Sequence, residues 1–130
     1  MNVRDKQLVE HILRYCDEIT GAIQRYDNSM EKFLSDYLFY NSCCMSLFQI
    51  GELSKRLSDD FHQLNPTLPW KEMRSIRNVF AHEYESVDKE SLWKTIQNDI
   101  PKLRDQFKEI MQSDDCDASN EGGSEKCPNA

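Results

Sequence analysis

Four residues of one octapeptide, Arg77-Asn78-Val79-Phe80-Ala81-His82-Glu83-Tyr84, bring together groups that phosphodiester chemistry can use. A histidine, with an ordinary pKa near ~6.5, gives or takes a proton close to neutral pH. An arginine adds a permanent charge and a planar fork that matches phosphate oxygens. RNA carries its own nucleophile: the 2′-hydroxyl attacks the adjacent phosphorus once its proton is removed and the developing charge is stabilised. Asn78 could position a phosphate or hold the imidazole. The set suffices for such a cleavage without a metal or cofactor, but it is not unique to it. Each residue also has a plainer reading. His82 can serve as the basic end of a helix, favourable toward the macrodipole, Arg77 can be structural, and Tyr84 can be an aromatic at the edge of the core.

These side chains are positioned by the element that carries them. Asn65-Pro66-Thr67-Leu68-Pro69 punctuates the chain. Thr67 is placed to cap a new helix, and Pro69 is tolerated in a first turn, where its missing N–H costs no bond. The helix is expected to run to about residue 81. At about 100° per residue, Met73, Ile76, Val79 and Phe80 share an apolar arc, with Arg77 beside it. Arg74, Asn78 and His82 form a polar row at spacings of four. An arginine against a core-facing surface needs a partner: a carboxylate, a carbonyl, a facing subunit or a phosphate. Arg77 and His82 stand about 140° apart on an ideal helix, so they do not meet side by side. Either the helix ends near Ala81 and His82 and Tyr84 swing back over its terminus, or two copies face each other and share the sites.

The rest of the chain reads as helices that support this one. Leu8, Ile12, Tyr15, Cys16, Ile19, Ile23 and Tyr26 form one stripe, predicting a helix over about residues 5–26. Ser29 is placed to cap a short turn through Phe33. A long second helix is expected over about residues 36–61, where Gly51 could let a neighbour approach closely. A last helix starts near Val87-Asp88, with Leu92, Ile96, Leu103, Phe107 and Ile110 on one face and a kink from Pro101 near Asn98. Short links between four or five antiparallel helices describe an all-α, up-and-down bundle.

Composition narrows the function classes. The 130 residues suit one domain, and four Gly with four Pro favour helices over a turn-rich β architecture. The net charge of −7 argues against non-specific coating of nucleic acid, although −4 of it falls in residues 113–130. That stretch lacks large apolar residues and is expected to be a disordered acidic tail after a domain of residues 1–112. An RNA groove would have to come from Lys55, Arg56, Lys71, Arg74 and Arg77 clustering locally, with Lys71 and Arg74 as candidate RNA contacts. The five cysteines form no C-x-x-C pair or zinc-ligand spacing, and Cys16, Cys43 and Cys44 read as small buried hydrophobes. A charged start without an apolar run, and no stretch of ~18 apolar residues, give the expectation of a cytoplasmic chain with no membrane segment.

Arg77-Asn78-x-x-x-His82-x-Tyr84 resembles the R-x4-H-x-Y signature of HEPN-superfamily ribonuclease toxins, in particular their HepT-like branch. The resemblance spans about residues 4–111. It also includes Phe33-Leu34-x-Asp36, Ile50-Gly51-Glu52, Pro69-Trp70-Lys71-Glu72 and Ile100-Pro101-x-Leu103. It implies a HEPN-like helical bundle and a metal-independent endoribonuclease, the toxin of a type VII-like toxin–antitoxin pair. Arg77 would bind the scissile phosphate, His82 would be the general acid or base, and Asn78 would support them. The resemblance implies a homodimer whose two motifs line one cleft. It also implies a minimal nucleotidyltransferase antitoxin that transfers AMP from ATP to Tyr84, adding bulk and charge that obstruct RNA. The superfamily includes non-catalytic members too, so the alternative is a binding module that scaffolds a nucleotidyltransferase or holds RNA or nucleotide. Asp36 and Glu52 read as a helix start and a helix packing contact.

Overall fold

The computed structural model describes residues 1–120, with side chains placed through residue 115. Helix α1 spans Val3–Arg25, α2 Met30–Ser35, α3 Tyr37–Arg56, α4 Asp59–Leu64 and α5 Trp70–His82. A 3₁₀ turn, Tyr84–Ser86, leads to α6, Lys89–Lys94, which passes through a π-helical turn, Thr95–Asp99, into α7, Ile100–Asn120. Among the described residues all regular structure is helical, as the patterning predicts. No described helix is long and apolar enough to cross a membrane.

Helix α3 is the central rod, packed against α1 on one side and α5 on the other, while α1 also meets α7. Helix α1 supplies Leu8, Ile12, Cys16 and Ile19 of its stripe, and Val9 beside it, to a core completed by Phe33, Phe39, Cys43, Leu47, Ile50, Ile96, Leu103 and Phe107. Cys16, Cys43 and Cys44 are buried in it as free thiols; burial pushes Cys16 and Cys43 up to about 12 and Cys44 up to about 11.

The helix ends follow local chemistry. Ser29 caps α2 by accepting from the Lys32 N–H, and Asp36 caps α3 by accepting from Leu38 and Phe39 N–H, so Asp36 is a helix start. The expected helix over residues 36–61 instead breaks after Arg56. Ser58 caps α4 through the Phe61 N–H, and the buried Asp5 carboxylate receives both the Ser58 N–H (3.0 Å) and hydroxyl (2.6 Å). That carboxylate fixes the corner and turns the chain. Thr67 is not the cap of α5: the Ncap is Pro69, with no side-chain cap bond. Where a kink from Pro101 is expected near Asn98, the chain takes a π turn over Thr95–Asp99, just before Pro101.

Helix α7 continues past Ser113, where the acidic tail is expected to begin, to Asn120. Asp114 accepts from the Met1 amine (3.1 Å) and Asp115 from Lys6 (3.2 Å), which ties this turn to the start of α1. The remainder of the expected tail, residues 121–130, lies outside the described residues.

Candidate active site

The origin of α5 is anchored before its functional residues begin. The Trp70 indole donates to the Asn65 carbonyl at 2.9 Å and lies against the His62 ring, 4.2 Å between centres, and the edge of Phe61. One turn on, Met73 is buried under the Ser54 hydroxyl. The next turn crosses α3 at Gly51. A Cβ at that position would lie 2.7 Å from Arg77 Cβ, 3.1 Å from the Met73 carbonyl oxygen and 3.4 Å from Arg77 Cα. Only a residue without a side chain permits this approach.

The crossing brings the Arg77 guanidinium onto Glu52. Arg77 Nε donates to Glu52 Oε1, and Nη1 donates to Asn78 Oδ1 at 3.2 Å. The partner that Arg77 required is therefore a carboxylate, and Glu52 is a residue of the site besides a packing contact. With its Nε edge clamped, the fork is held in one orientation while the pair remains partly open to solvent.

Arg74, Asn78 and His82 lie exposed along α5 in the expected row. Arg74, Arg77 and Asn78 line one groove with Lys55, His62 and Trp70. Lys71 is exposed on the first turn and lies outside that lining. His82 is the last residue of α5, and the Glu83 N–H closes the helix on the Val79 carbonyl at 2.7 Å. His82 thus keeps its helical direction about 140° from Arg77. It does not swing back over the terminus, and no hydrogen bond joins it to Arg77 among the described residues.

Tyr84 does leave the helix. Its hydroxyl donates to Asn41 Oδ1 on α3 at 2.6 Å, and its ring is flanked by Phe80 and Tyr40 at 6.1 and 6.4 Å. Burial and the neighbouring Cys44 thiol raise its hydroxyl above the ordinary tyrosine value, so it stays a proton donor at neutral pH. The residue is nevertheless 39% exposed. Sequence patterning does not single out Asn41, because a polar residue on an exposed helix face carries no signal of what folds over it.

A family model described as "Ribonuclease HepT-like" matches residues 12–110. The chain belongs to the HepT-like ribonuclease family. Among relatives of this family, "Probable ribonuclease HepT" of Thermococcus cleftensis is 36% identical over 103 residues, covering 75% of this chain and 94% of the relative. A protein of Caldanaerobacter subterraneus subsp. tengcongensis carrying an RNase name is 35% identical over 106 residues, covering 82% and 93%. Another with an RNase name, from Methanocaldococcus jannaschii, is 32% identical over 105 residues, covering 80% and 94%. No solved structure gives a significant match. The matched HepT-like region takes in α3, α5 and the first half of α7, hence every residue of the octapeptide and the Gly51–Glu52 pair behind it.

Proposed function

We propose that this HepT-like chain is a metal-independent endoribonuclease whose active centre joins Arg77 of one copy to His82 of another. The observation that carries this reading is the clamped Arg77 on α5, with an unencumbered His82 at the exposed end of the same helix. Among the described residues the His82 imidazole has no hydrogen-bond or ion-pair partner. One is prepared to hold a phosphate, and the other is free to move a proton.

In the reaction, the 2′-oxygen of RNA bonds to the adjacent phosphorus and the bond to the 5′-oxygen breaks, leaving a cyclic phosphate and a 5′-hydroxyl. His82 takes the 2′ proton or delivers one to the leaving oxygen, and Arg77 stabilises the charge on the phosphoryl oxygens. Asn78 supports the fork through its contact with Nη1.

A homodimer is favoured by the surface beside this helix end. Leu38 and Met45, 61% and 58% exposed, share one face of α3 with the half-buried Phe48. Met45 and Phe48 line a shallow apolar depression with Phe80, Ala81 and Tyr84. A second copy on this face covers apolar surface and sets two α5 helices opposite each other. Tyr84 at its rim is then the switch of a type VII-like toxin–antitoxin pair. A minimal nucleotidyltransferase transfers AMP from ATP to the phenolic oxygen with loss of pyrophosphate, after the hydroxyl lets go of Asn41. The added phosphate and base obstruct RNA beside His82.

Purified protein cuts RNA in the presence of EDTA on this reading, and His82→Ala removes the cut without unfolding the bundle. Equal cleavage by the alanine variant overturns the assignment. Stable RNA binding without products points instead to a binding module.

A further inference from the structure

The groove lined by Lys55, His62, Trp70, Arg74, Arg77 and Asn78 lies between the second half of α3, α4 and α5. Its lining holds three cations and no carboxylate, in a chain whose net charge is −7; Arg77 is paired with Glu52 behind it, and Lys55 and Arg74 have no ion-pair partner among the described residues. Such a local reversal of sign concentrates an anionic ligand in this groove.

The groove also has a fixed aromatic wall. The indole N–H of Trp70 is already satisfied by the Asn65 carbonyl, so the ring is held in place and needs nothing from a ligand at its polar edge. His62 is held by a bond between Nε2 and the Ser54 carbonyl at 2.9 Å. A carbonyl only accepts, so Nε2 carries the hydrogen and Nδ1 is the ring's remaining polar atom. Cations beside a rigid aromatic pair are the recurring means of holding one phosphate and one unstacked base of a single strand.

The groove is continuous with the proposed chemistry. Arg74 and Asn78 line it, and His82 continues the same row one turn further, each step being about 6 Å along the helix. That step is comparable to one nucleotide of extended backbone.

We propose that this groove is a single-strand RNA subsite that holds a nucleotide flanking the scissile phosphate, with Lys55 and Arg74 on its phosphate and its base against Trp70 and His62. The assignment rests on the ribonuclease reading for its substrate, but its test separates the two. A short 2′-O-methyl oligoribonucleotide resists attack by the 2′-oxygen and serves as the probe. Trp93 is packed in the core against Phe33 and Phe39, so quenching of tryptophan emission on titration reports on Trp70.

The full-length protein is expected to show saturable quenching. In K55S/R74S, two exposed positions, affinity falls about 10-fold and the slope of log K against log salt shrinks by about 0.7, the contribution of one neutralised phosphate on a single strand. In cleavage assays the same variant raises KM about 10-fold with kcat within about twofold, whereas His82→Ala loses turnover and keeps oligonucleotide affinity. Unchanged affinity and salt slope in K55S/R74S, with its helical circular dichroism intact, overturns the subsite. Tripolyphosphate competing as tightly as the oligonucleotide also overturns it, because the groove would then read charge without a base. Loss of oligonucleotide binding in K55S/R74S, when the wild type cuts no RNA, upholds the groove and removes the ribonuclease reading instead.

Discussion

Gly51 sits directly beneath Arg77, close enough that a Cβ on the glycine would come within 2.7 Å of Arg77 Cβ. Three features of the site follow from this contact. It sets how near α5 lies to α3, it brings the guanidinium onto Glu52, and it directs the rest of the fork toward the groove. Gly51→Ala is expected to push the two helices apart, costing about 1–3 kcal/mol of stability. RNA cleavage should fall by more than the loss of folded protein explains. Chemical denaturation alongside kcat measurement checks this; an alanine variant with wild-type stability and turnover would deny the crossing any part in positioning Arg77.

Glu52 separates positioning from stability. The Arg77–Glu52 pair is partly exposed, so Glu52→Gln, which keeps size and packing, should change stability by less than ~1 kcal/mol. Because the clamp on the fork is loosened, kcat is expected to drop about 10-fold or more while oligonucleotide affinity changes little. A variant that lost affinity and kept kcat would place Glu52 in binding instead.

Asp5 is expected to show the opposite profile. At 3% exposure, its carboxylate holds the Ser58 N–H and hydroxyl at the corner where α3 gives way to α4. Asp5→Ala leaves those groups without their partner and should cost about 2–3 kcal/mol. Folded variant protein, assayed well below its Tm, should cleave RNA at the wild-type rate. Thermal melts and kinetics at low temperature distinguish this from a catalytic defect.

Tyr84→Phe removes only the hydroxyl that rests on Asn41. Cleavage should survive it. Intact-mass spectrometry after co-production with a partner nucleotidyltransferase should show AMP on the wild type, and peptide mapping should show none at this position in the phenylalanine variant. A variant that still gained AMP to the wild-type extent would move the modification to another residue.

Much of the fold is legible in the residues, and what is not shares a cause. Stripes at spacings of three and four locate α1, α3, α5 and α7, and Ser29 and Asp36 mark helix starts, because those signals are local. The break at Ser58 is hidden because Asp5, more than fifty residues away in sequence, makes it. Thr67 has the type and place of a cap without being one, since the tie of Trp70 to Asn65 already fixes the start of α5. The acidic turn at Asp114 and Asp115 reads as tail because its partners, Met1 and Lys6, lie at the far end of the chain. At the site, the types and spacing of Arg77, Asn78, His82 and Tyr84 are visible, and so is the angular misfit of Arg77 and His82. The Glu52 clamp, the Asn41 acceptor and the aromatic wall of the groove are not, because each is a contact between helices.

The central claim is that Arg77 of one copy works with His82 of the other, and mixing inactive variants tests it most directly. Arg77→Ala and His82→Ala proteins, each inactive alone, are unfolded together, refolded as an equimolar mixture and assayed for RNA cleavage in EDTA. Random pairing makes half the dimers mixed, each with one intact shared centre, so recovery of about one quarter of wild-type activity is predicted. A mixture that forms mixed dimers but stays as inactive as its components would contradict it.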